Sequence, residues 1–542
     1  MKNSTQLWNN REAVKKTKKE WDKFKIDWDN DLKYDFTRIS VFVGQDESKL
    51  NFGWYSTKEE TPIICWSTTK DMSKCKEIPG TYEKYYKLMG KQYYSNKVTV
   101  TGLKRNSVYY YTRIMNGKKE ETYTFKTYDE DNFNFIFVGD PQIGGSHGRI
   151  SFKNGDPYIL SEEDGTRNDA FNWNRTVHYS VEFTKTPSVF LSAGDQADEE
   201  NYVSAIYEDY VKTNEESYFI EETQYSAFLL PKELRTIPVA ATVGNHDAYT
   251  ENFRRHFNTP NSYTTPSYLG ETIIPGYNYF FKYNNVLVVV LESNYGSCED
   301  YNTVVKKAIK KYPDMDWRIG MFHHDIYGNG MYHFNETRTY EVLRPCLTKL
   351  FSENEFDLVI NGHDHVYAAS KFISYNDQYR YGESKEDELY TFSGVLRSDI
   401  TYTNPRGTLY ITANCSSGSK LYNYIYPDPN YIGFYNQTYS STFGTIDFKR
   451  EDEKVKMEIT TREVEGYRVV DGPYIIEKNA KKKVLHTNQE SINYFIFIYL
   501  FLHYTIFYYI ILYYTIFYYI ILYYIILFIY INLKIINNIS NY

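Results

Sequence analysis

Five short segments of the chain join an apolar run to side chains that ligate metal ions in proteins. In chain order they are FNFIFVGD, PSVFLSAGD, IPVAATVGNHD, WRIGMFHHD and DLVINGHDH. Each predicts a strand that runs into a tight turn, and a glycine before the polar side chain permits such a turn. Because the carboxyl ends of strands gather at one edge of an α/β sheet, we expect the polar side chains to meet there. These residues are Asp140; Asp195; Asn245, His246 and Asp247; His323 and His324; His363 and His365.

Each segment alone has an ordinary alternative explanation. Gly-Asp after a strand is typical of a turn, because both residues are favoured in turns for conformational reasons. Two adjacent histidines are typical of a partly buried pair. Gly-His-Asp-His is more specific, since two histidines two residues apart on a turn can face neighbouring ions. It is the complete ordered set of five segments that indicates a metal centre.

The ligand types in these segments suit a pair of metal ions. Carboxylate oxygen and imidazole nitrogen suit Fe, Zn and Mn. Two ions about 3.5–4 Å apart lower the pKa of a bound water and hold phosphoryl oxygens during in-line attack. Phosphate esters need both effects, because the nucleophile approaches an anionic centre. The sequence therefore predicts a phosphoesterase with two metal ions, either Fe, Zn or Mn.

The surrounding sequence predicts two folded bodies. Residues 37–128 contain short alternating runs such as ISVFVG, KVTVTGL and TYTFKT, which predict an all-β sandwich. Residues 129–477 alternate apolar strands with longer amphipathic stretches, which predicts an α/β domain that carries the ligands. Residues 1–36 are polar and predict an extension with one helical segment, and residues 478–493 predict a linker.

The carboxyl-terminal tail, residues 494–533, has no charged residue and contains YTIFYYIILY twice in succession. By length it is able to cross a bilayer once, or twice as a hairpin. The alternative is a low-complexity tail, because tyrosine prefers the membrane interface to the membrane centre. The sequence leaves both alternatives open.

Charge and cysteine content narrow the possible functions. A net charge of -8 gives no basic surface for a phosphate-backbone binder, so no nucleic-acid partner is expected. Five cysteines are too few for a disulfide-built fold and are wrongly spaced for a structural zinc site. Cys65 with Cys75 and Cys298 with Cys346 are the possible pairs, which leaves Cys415 unpaired. Five free thiols are the alternative.

The compartment receives opposing indications. Residues 1–30 lack the apolar run of a signal peptide, so either the protein is not exported classically or its true start precedes this sequence. Asn-x-Ser/Thr sequons favour secretion or membrane attachment, although such short patterns also arise by chance. Within the first 440 residues, five sequons begin at Asn3, Asn174, Asn335, Asn414 and Asn436.

The ordered motifs GDPQ, GDQAD, GNHD, MFHH and GHDH resemble those of the purple acid phosphatases, in the calcineurin-like metallophosphoesterase superfamily. The preceding β-region resembles the fibronectin-III-like N-terminal domain of plant and microbial members. LKRNSVYYYTRI is similar to a typical strand of that domain, with Asn106 where proline is common. NCSSGSK at 414–420 resembles a late loop of the family. The resemblance covers about residues 37 to 477 and implies a four-layer α/β/β/α metallophosphoesterase domain after the all-β sandwich.

The resemblance also implies a role for each metal ligand. Asp195 would bridge the two ions, because it occupies the position of the bridging aspartate in the family. The residues that would complete the two sites are Asp140 and His365 for one ion, and Asn245, His323 and His363 for the other.

Further residues are implied to contact the substrate phosphate. Asn245 faces the substrate as well as its ion, and the adjacent His246 would reach the phosphate. His333 lies ten residues after His323, where plant-like members have a histidine that contacts phosphate and protonates the leaving group. An exposed loop histidine is the alternative for His333, and His324 is then the acid.

Two positions depart from the family pattern. Asp198 replaces the tyrosine whose bond to ferric iron gives the purple colour, and it either ligates a metal or only caps a helix. Gln142 stands where the family usually has glycine and where many superfamily relatives have a ligating histidine. These departures argue against a purple Fe(III) centre and leave the metal identity open.

The expected activity is hydrolysis of phosphate monoesters, as in an acid phosphatase, by attack of a metal-bound hydroxide. A phosphodiesterase on the same fold is the nearest alternative, because the ligand set does not encode the substrate. A non-catalytic surface protein tethered to the membrane by its tail is an alternative of another class. The complete ligand set argues against that last alternative, and the sequence does not define the oligomeric state.

Overall fold

The protein is described by a computed structural model of the 542-residue chain. The described residues are 11–153, 156–185, 187–198, 214–248, 250–263, 276–376, 390–481 and 489–539. The chain divides into two compact units, Met1–Lys481 and Lys482–Tyr542, and each is treated by itself.

The helices and strands of the described residues are numbered in chain order. The α-helices are α1 Arg11–Asp27, α2 Glu162–Thr184, α3 Asn214–Phe228, α4 Asn252–His256, α5 Cys298–Lys311, α6 Arg344–Glu353 and α7 Gln489–Ile539. Short helical turns are π-helical at Trp28–Leu32 and Arg338–Leu343, and 3₁₀ at Lys232–Arg235.

The strands are β1 Ser40–Val43, β2 Lys49–Ser56, β3 Ile63–Ser67, β4 Lys76–Pro79, β5 Thr81–Leu88, β6 Lys91–Thr101, β7 Ser107–Met115, β8 Lys118–Lys119, β9 Tyr123–Thr127, β10 Asn132–Val138, β11 Ile150–Lys153, β12 Asp156–Ile159, β13 Val189–Ser192, β14 Val239–Ala241, β15 Tyr279–Tyr283, β16 Val286–Val290, β17 Trp317–Met321, β18 Leu358–Asn361, β19 Tyr367–Ser370, β20 Phe372–Tyr375, β21 Tyr390–Ser393, β22 Thr401–Thr403, β23 Leu409–Thr412, β24 Ile432–Asn436, β25 Thr442–Glu451, β26 Lys454–Glu463 and β27 Val469–Asn479.

Two large sheets carry the metal-ligand segments. The first has the strand order β22-β27-β26-β25-β10-β13-β14-β1-β2-β6-β5, and the second has the order β15-β16-β17-β18-β23-β19-β24. Strands β10, β13 and β14 run parallel in the first sheet, and β16, β17, β18 and β23 run parallel in the second. Parallel strands are covered on both faces, which is why their sequences are nearly continuous apolar runs.

Strand β16 shows how the layers are built. Val288 and Val290 belong to the core that the two large sheets share. Leu287 and Val289, on the opposite face, pack in a second core with Val304 of α5. Alternate side chains of one strand therefore fill two different interiors, one between the sheets and one under the helices.

Helices begin where the sequence provides a cap. Ser161 precedes α2 and its hydroxyl accepts a hydrogen bond from the Asp164 amide at 3.1 Å. Ser297 and Asp300 form a reciprocal capping box at the start of α5. Each cap pairs a backbone N–H that the first helical turn leaves without an intrahelical partner. These caps locate the two long helices that cover the sheets.

The N-terminal region is all-β, as predicted, but it shares a sheet with the ligand-bearing domain. Its interior contains Val41 and Phe52 among other apolar residues. Strand β1 pairs parallel to β14, with Phe42 opposite Val239. Phe42 faces the main core, whereas its neighbour Val41 faces the core of the β-region. The predicted pair of bodies is therefore joined by a strand that belongs to both.

The polar N-terminal extension contains the predicted helical segment and is packed against the body. In α1, Phe24 lies 5.4 Å from the ring of Phe171 on α2, and Trp21 lies 5.1 Å from the same ring. Trp28 is buried in the main core. Aromatic side chains spaced along a polar helix thus attach it to α2.

Both possible cysteine pairs are disulfides, and the alternative of five free thiols is wrong. Cys65 is bonded to Cys75, and Cys298 to Cys346, whereas Cys415 is free and buried. The sequon at Asn414 does not support a glycan in this fold, because the residue is buried and its Nδ2 donates to Gln437 Oε1 at 3.1 Å.

The second unit contains α7, a continuous helix of 51 residues. Its segment His503–Asn532 is long and apolar enough to cross a membrane, judged by length and composition. A 30-residue segment is about 45 Å long at 1.5 Å per residue. The helix is unbroken from Gln489 to Ile539, so it contains no turn for the hairpin alternative. The predicted linker 478–493 falls partly on residues outside those described.

We predict that Phe42→Ala lowers the free energy of unfolding by about 3–5 kcal/mol, because it removes a buried ring at the strand shared by both regions. Val108→Ala, at an exposed position on β7, is the matched control and is expected to change the free energy of unfolding by less than about 0.5 kcal/mol. Denaturant unfolding of each variant, followed by tryptophan fluorescence, measures both. Equal costs, or a β-region that unfolds in a separate transition, would contradict this view of β1.

Candidate metal centre

The five predicted ligand segments all lie at the carboxyl ends of strands. Asp140 follows β10, Asp195 follows β13 and the Asn245 segment follows β14 in the first sheet. The other two segments, with His323 and His363, follow β17 and β18 in the second sheet. Because β13 lies between β10 and β14, Asp195 has a ligand-bearing loop on each side. The sheet order therefore puts Asp195 in the central position of the site.

Four ligand residues have a left-handed backbone conformation. The φ angles are 44° at Asp140, 48° at Asp195, 74° at His363 and 49° at His365. Residues with a side chain rarely adopt this conformation, because Cβ meets the neighbouring backbone. It persists where the surrounding packing enforces it and is common at functional sites. These turns direct the ligand side chains towards one another, and each requires a backbone conformation that is unfavourable for a residue with a side chain.

The glycines of the motifs have two different roles: one permits a turn, and two others leave space for ligand side chains. Gly194 has φ 100°, so it makes the turn that we expected of a glycine before a ligand. Gly244 and Gly362 instead leave room for the ligands. A Cβ on Gly244 would lie 1.9 Å from Asp195 Oδ1, and a Cβ on Gly362 would lie 2.5 Å from Asp140 Oδ2.

The first ligand group consists of Asp140, Asp195 and His365, all buried. One potential ligand atom from each lies within 4.8 Å of the others. His365 Nε2 is 3.4 Å from Asp140 Oδ1. The backbone N–H of His363 donates to Asp140 Oδ1 at 2.9 Å, which holds that carboxylate in place. This is the residue set that the sequence resemblance implied for one ion.

The second ligand group surrounds Asn245 Oδ1. His323 Nε2 lies 3.0 Å from that oxygen and His363 Nδ1 lies 3.1 Å from it. The two histidine nitrogens are 3.2 Å apart. Asp195 Oδ2 lies 3.3 Å from His323 Nε2, so Asp195 reaches this group as well as the first.

These spacings fit shared metal ions. Ligand atoms placed about 2.0–2.2 Å from one ion lie roughly 2.8–3.6 Å from each other in octahedral or tetrahedral geometry. The distances in the second group, 3.0 to 3.3 Å, fall in that range. Carboxylate, amide oxygen and imidazole are also ligands that Fe, Zn and Mn accept.

Each ligand histidine uses its other nitrogen for a hydrogen bond outside the group. His323 Nδ1 lies 2.9 Å from the Ala193 carbonyl, and His365 Nδ1 lies 2.8 Å from the Lys420 carbonyl. His363 Nε2 lies 3.1 Å from a carboxylate oxygen of Glu336. In a neutral imidazole the nitrogen that donates carries the proton, so the other nitrogen offers its lone pair to the group.

Electrostatics of the site favour bound positive charge. Burial lowers the pKa of His323, but the Asp195 and Asp140 carboxylates and the Ala193 carbonyl together raise it, to about 9. Burial likewise opposes the charge on His365, and the Asp140 carboxylate holds the pKa of His365 well above its usual range. Protons and metal ions compete for such nitrogens. The buried carboxylates thus create a site that needs cations.

The residue in place of the family tyrosine, Asp198, belongs to neither ligand group among the described residues. Its carboxylate forms an ion pair with the ammonium group of Lys420. Its backbone carbonyl lies 2.7 Å from His246 Nδ1. The backbone N–H of His246 in turn donates to Asp195 Oδ1 at 3.0 Å. Asp198 therefore positions His246 beside the metal ligands, and Lys420 neutralises it.

Gln142, the other departure from the family pattern, is buried beside the first group. Its backbone N–H donates to the Asp195 carbonyl at 2.6 Å. Its side-chain oxygen has no hydrogen-bond donor among the described residues. The backbone contact supports the turn that carries Asp195.

The two candidate acids differ in their surroundings. His324 is buried, its Nδ1 lies 2.8 Å from Ser293 Oγ, and burial lowers its pKa well below the usual range. The His333 side chain is 22 % exposed, and its Nδ1 lies 2.5 Å from Glu336 Oε1. Its ring centroid is 4.2 Å from that of His363. The structure therefore brings His333 to the ligand groups on the accessible side.

Sequence reasoning missed two residues of the site. Glu336 contacts both His333 and His363, and Lys420 contacts Asp198 and His365. A signal existed for Glu336, which follows His333 by three residues and so can share a turn with it. Lys420 lies at the end of NCSSGSK, a segment that the sequence marks only as a loop.

Comparisons with known proteins agree with the fold. The family model for "Calcineurin-like phosphoesterase" matches residues 133–367, which include all five ligand segments. The family model for "Purple acid Phosphatase, N-terminal domain" matches residues 37–127. Together the two matches cover more than half of the chain. No curated protein sequence matches it.

A solved purple acid phosphatase structure has the same fold. Purple acid phosphatase PPD1 from yellow lupin (Lupinus luteus) seeds superimposes with a TM-score of 0.55 and 13 % identity, over 82 % of this chain and 74 % of that one. A putative 5'-nucleotidase from Staphylococcus aureus, solved in complex with alpha-ketoglutarate, has a TM-score of 0.32 and 13 % identity, over 66 % of this chain and 56 % of that one.

Fold and ligand segments thus define a calcineurin-like phosphoesterase. Residues 133–367 match the calcineurin-like phosphoesterase family and residues 37–127 match the N-terminal domain of purple acid phosphatases, so the chain is a purple acid phosphatase-like protein of that superfamily. That family of phosphoesterases depends on two metal ions. The described residues include two candidate ligand groups around Asp195, one with Asp140 and His365 and one with Asn245, His323 and His363.

We predict that Gly244→Ala weakens metal binding by roughly 10–100-fold, because the new methyl group displaces Asp195 Oδ1 from both groups. Gly466→Ala is the control: its Cβ meets no atom within 4 Å, so only the positive φ costs stability, by about 1 kcal/mol. Metal per chain, measured by mass spectrometry after dialysis against graded free metal, checks the prediction. Equal metal affinity in both variants would show that Gly244 does not act through Asp195.

Proposed function

We propose that the protein is a two-metal hydrolase of phosphate monoesters, of the acid phosphatase type. The observation that carries the proposal is the position of Asp195, whose carboxylate belongs to the group of Asp140 and also lies 3.3 Å from His323 in the other group. A bridging carboxylate keeps two ions close enough to act on one phosphate. The ions when bound supply an activated water and neutralise phosphoryl charge.

The protein side chains then have separate tasks. Asn245, His323 and His363 would hold one ion, and Asp140 with His365 would hold the other. Asp195 would be shared by both, and the outward hydrogen bonds of the three histidines keep their lone pairs directed inward. No protein side chain has to be the nucleophile in this arrangement.

We assign the phosphate contact to His246. Its Nδ1 contact with the Asp198 carbonyl fixes the ring plane, and its backbone contact with Asp195 fixes its distance from the ligands. A donor on that ring stabilises charge that develops on phosphoryl oxygen during attack.

We assign protonation of the leaving group to His333. Burial keeps His324 uncharged, which makes that residue a poor proton donor. His333 is partly exposed and packs on the ligand His363, so its free edge is close to where an ester oxygen leaves. A histidine suits this step because its usual pKa is close to neutral pH.

The layer order supports the finer fold assignment as well. We infer a four-layer α/β/β/α domain, because β16 packs against the first sheet on one face and against α5 on the other. The β-region has two sheets around one core, as a fibronectin-III-like sandwich does.

To test the activity, the full chain in mild detergent is assayed from pH 4 to 9 on an aryl phosphate monoester and the matching bis-aryl diester. We expect faster monoester turnover, and Asp195→Asn lowers it on the order of 100-fold or more, because both ions lose a shared ligand. Asp452→Asn, on an exposed turn, is the control. Diester preference would favour the phosphodiesterase alternative, and no turnover with metal bound would favour a non-catalytic surface protein.

We also propose that His503–Asn532 crosses a membrane once, which its length and composition support. The full chain is then expected to float with phosphatidylcholine vesicles in a density gradient. Phe517→Lys with Ile521→Lys places two charges near the segment centre, each costing about 2.5–3.5 kcal/mol, and abolishes flotation. Ile531→Lys, near the segment end where a lysine reaches the interface, is the control. A wild-type chain that stays in the soluble fraction would refute the membrane assignment.

A further inference from the structure

Glu336 joins two functional histidines through one carboxylate. Its Oε1 lies 2.5 Å from His333 Nδ1, and its Oε2 lies 3.1 Å from His363 Nε2. The Glu336 side chain is 35 % exposed, and the His363 side chain is 6 % exposed. The carboxylate therefore spans from the buried metal ligand to the partly exposed histidine.

His363 differs in this respect from the other two ligand histidines. His323 and His365 direct their outer nitrogens to backbone carbonyls, whose positions the strand ends determine. The outer partner of His363 is a side chain on a loop. A carboxylate partner fixes the tautomer and also makes the metal-facing nitrogen a stronger ligand than a carbonyl partner does.

The loop that carries Glu336 is anchored on both sides. The Glu336 N–H donates to the His333 carbonyl at 3.1 Å, and the Tyr340 N–H donates to the Glu336 carbonyl at 2.9 Å. The guanidinium group of Arg338 donates to the Ser293 carbonyl at 2.7 Å and to the Gly296 carbonyl at 2.8 Å. These bonds hold the Glu336 backbone at a set distance from the metal-ligand groups.

We propose that Glu336 is a positioning residue that fixes the metal ligand His363 and the leaving-group acid His333 in one unit. With Nε2–H directed to Glu336, His363 offers Nδ1 to the group of Asn245. With Nδ1–H directed to the same carboxylate, His333 turns Nε2 towards the phosphate. The His363 part of the proposal depends only on metal binding, and the His333 part rests on the proposed hydrolase function.

The cluster of His324, Glu336 and His363 also has the spacing of a separate metal site. Its geometry conflicts with the second ligand group, because a neutral imidazole has one lone-pair nitrogen. If His363 Nδ1 serves Asn245 and its neighbours, Nε2 carries the proton and cannot ligate another ion. Glu336 then acts as an acceptor for that N–H and not as a ligand.

The first measurement is metal binding to the full chain, with Zn²⁺ or Mn²⁺ at graded free concentrations. Glu336→Gln is expected to weaken binding of one of two ions by about 10–100-fold, and Glu336→Asp to restore part of the loss because the charge returns. Glu341→Gln removes the same charge from an exposed position on the π-helical turn Arg338–Leu343 and is the control, with unchanged affinity. Circular dichroism verifies that each variant is folded.

The second measurement is kcat at saturating metal on a nitrophenyl phosphate and an alkyl phosphate. A nitrophenolate leaves without a proton, whereas an alkoxide needs one. Glu336→Gln is expected to lower kcat for the alkyl ester at least tenfold more than for the aryl ester. His333→Asn shows the same bias, and the double variant adds little to it, since coupled residues are not additive.

Unchanged metal affinity in Glu336→Gln would overturn the role at His363, and an equal loss on both esters would overturn the role at His333. A third ion in the wild type that Glu336→Gln loses would also overturn the proposal, because Glu336 is then a ligand. A wild-type chain that binds two ions but cleaves neither ester refutes the proposed hydrolase. In that case the metal affinity of the Glu336→Gln variant still decides whether Glu336 positions His363.

Discussion

The burial of the Asp195 carboxylate between two ligand groups is the constraint on which the site depends. Strand β13 lies between β10 and β14, so only its loop has ligand-bearing loops on both sides in the first sheet. A buried carboxylate is unfavourable unless partners surround it. The fold provides the His246 N–H at 3.0 Å, the imidazole of His323 at 3.3 Å and the space that Gly244 leaves. Sheet order, turn conformation and glycine placement thus all contribute to the position of the two Asp195 carboxylate oxygens.

Much of the site was predictable from sequence because its ligands are local features of strand ends. An apolar run followed by Gly-Asp or Gly-His-Asp-His predicts both the strand and the residue at its end, and the two sheets then bring the ends together. Side-chain partners were not predictable in this way. The spacing of Glu336 from His333 indicates a shared turn but not the contact with His363, and no short pattern encodes the contact of the Lys420 side chain with Asp198. The sequence also did not predict that β1 belongs to both the β-region and the ligand-bearing domain. The apolar residues Val41 and Phe42 predict a strand buried on both faces, but they do not show which core each face contacts.

The exchange of the family tyrosine for Asp198 has a visible compensation. A carboxylate near two buried aspartates would add repulsion to a site already rich in negative charge. The Lys420 ammonium group forms an ion pair with that carboxylate. The Lys420 backbone carbonyl accepts a hydrogen bond from His365, so the same residue neutralises Asp198 and orients a metal ligand. The two ligand groups consist of carboxylate, amide and imidazole side chains, and Asp198, in place of the family tyrosine, belongs to neither group.

The β-region contributes to the site by more than a shared strand. Buried Glu222 accepts hydrogen bonds from Tyr55 at 2.9 Å and Tyr85 at 2.8 Å, and its other oxygen lies 2.7 Å from His256 Nε2. The Tyr85 hydroxyl oxygen also lies 2.5 Å from Asn252 Oδ1, a few residues after the loop that carries Asn245 and His246. Without the two tyrosines, Glu222 would be a buried charge with fewer donors, which is costly in a low-dielectric interior. The polar contacts across this junction therefore connect the loop that carries Asn245 and His246 to the N-terminal β-region.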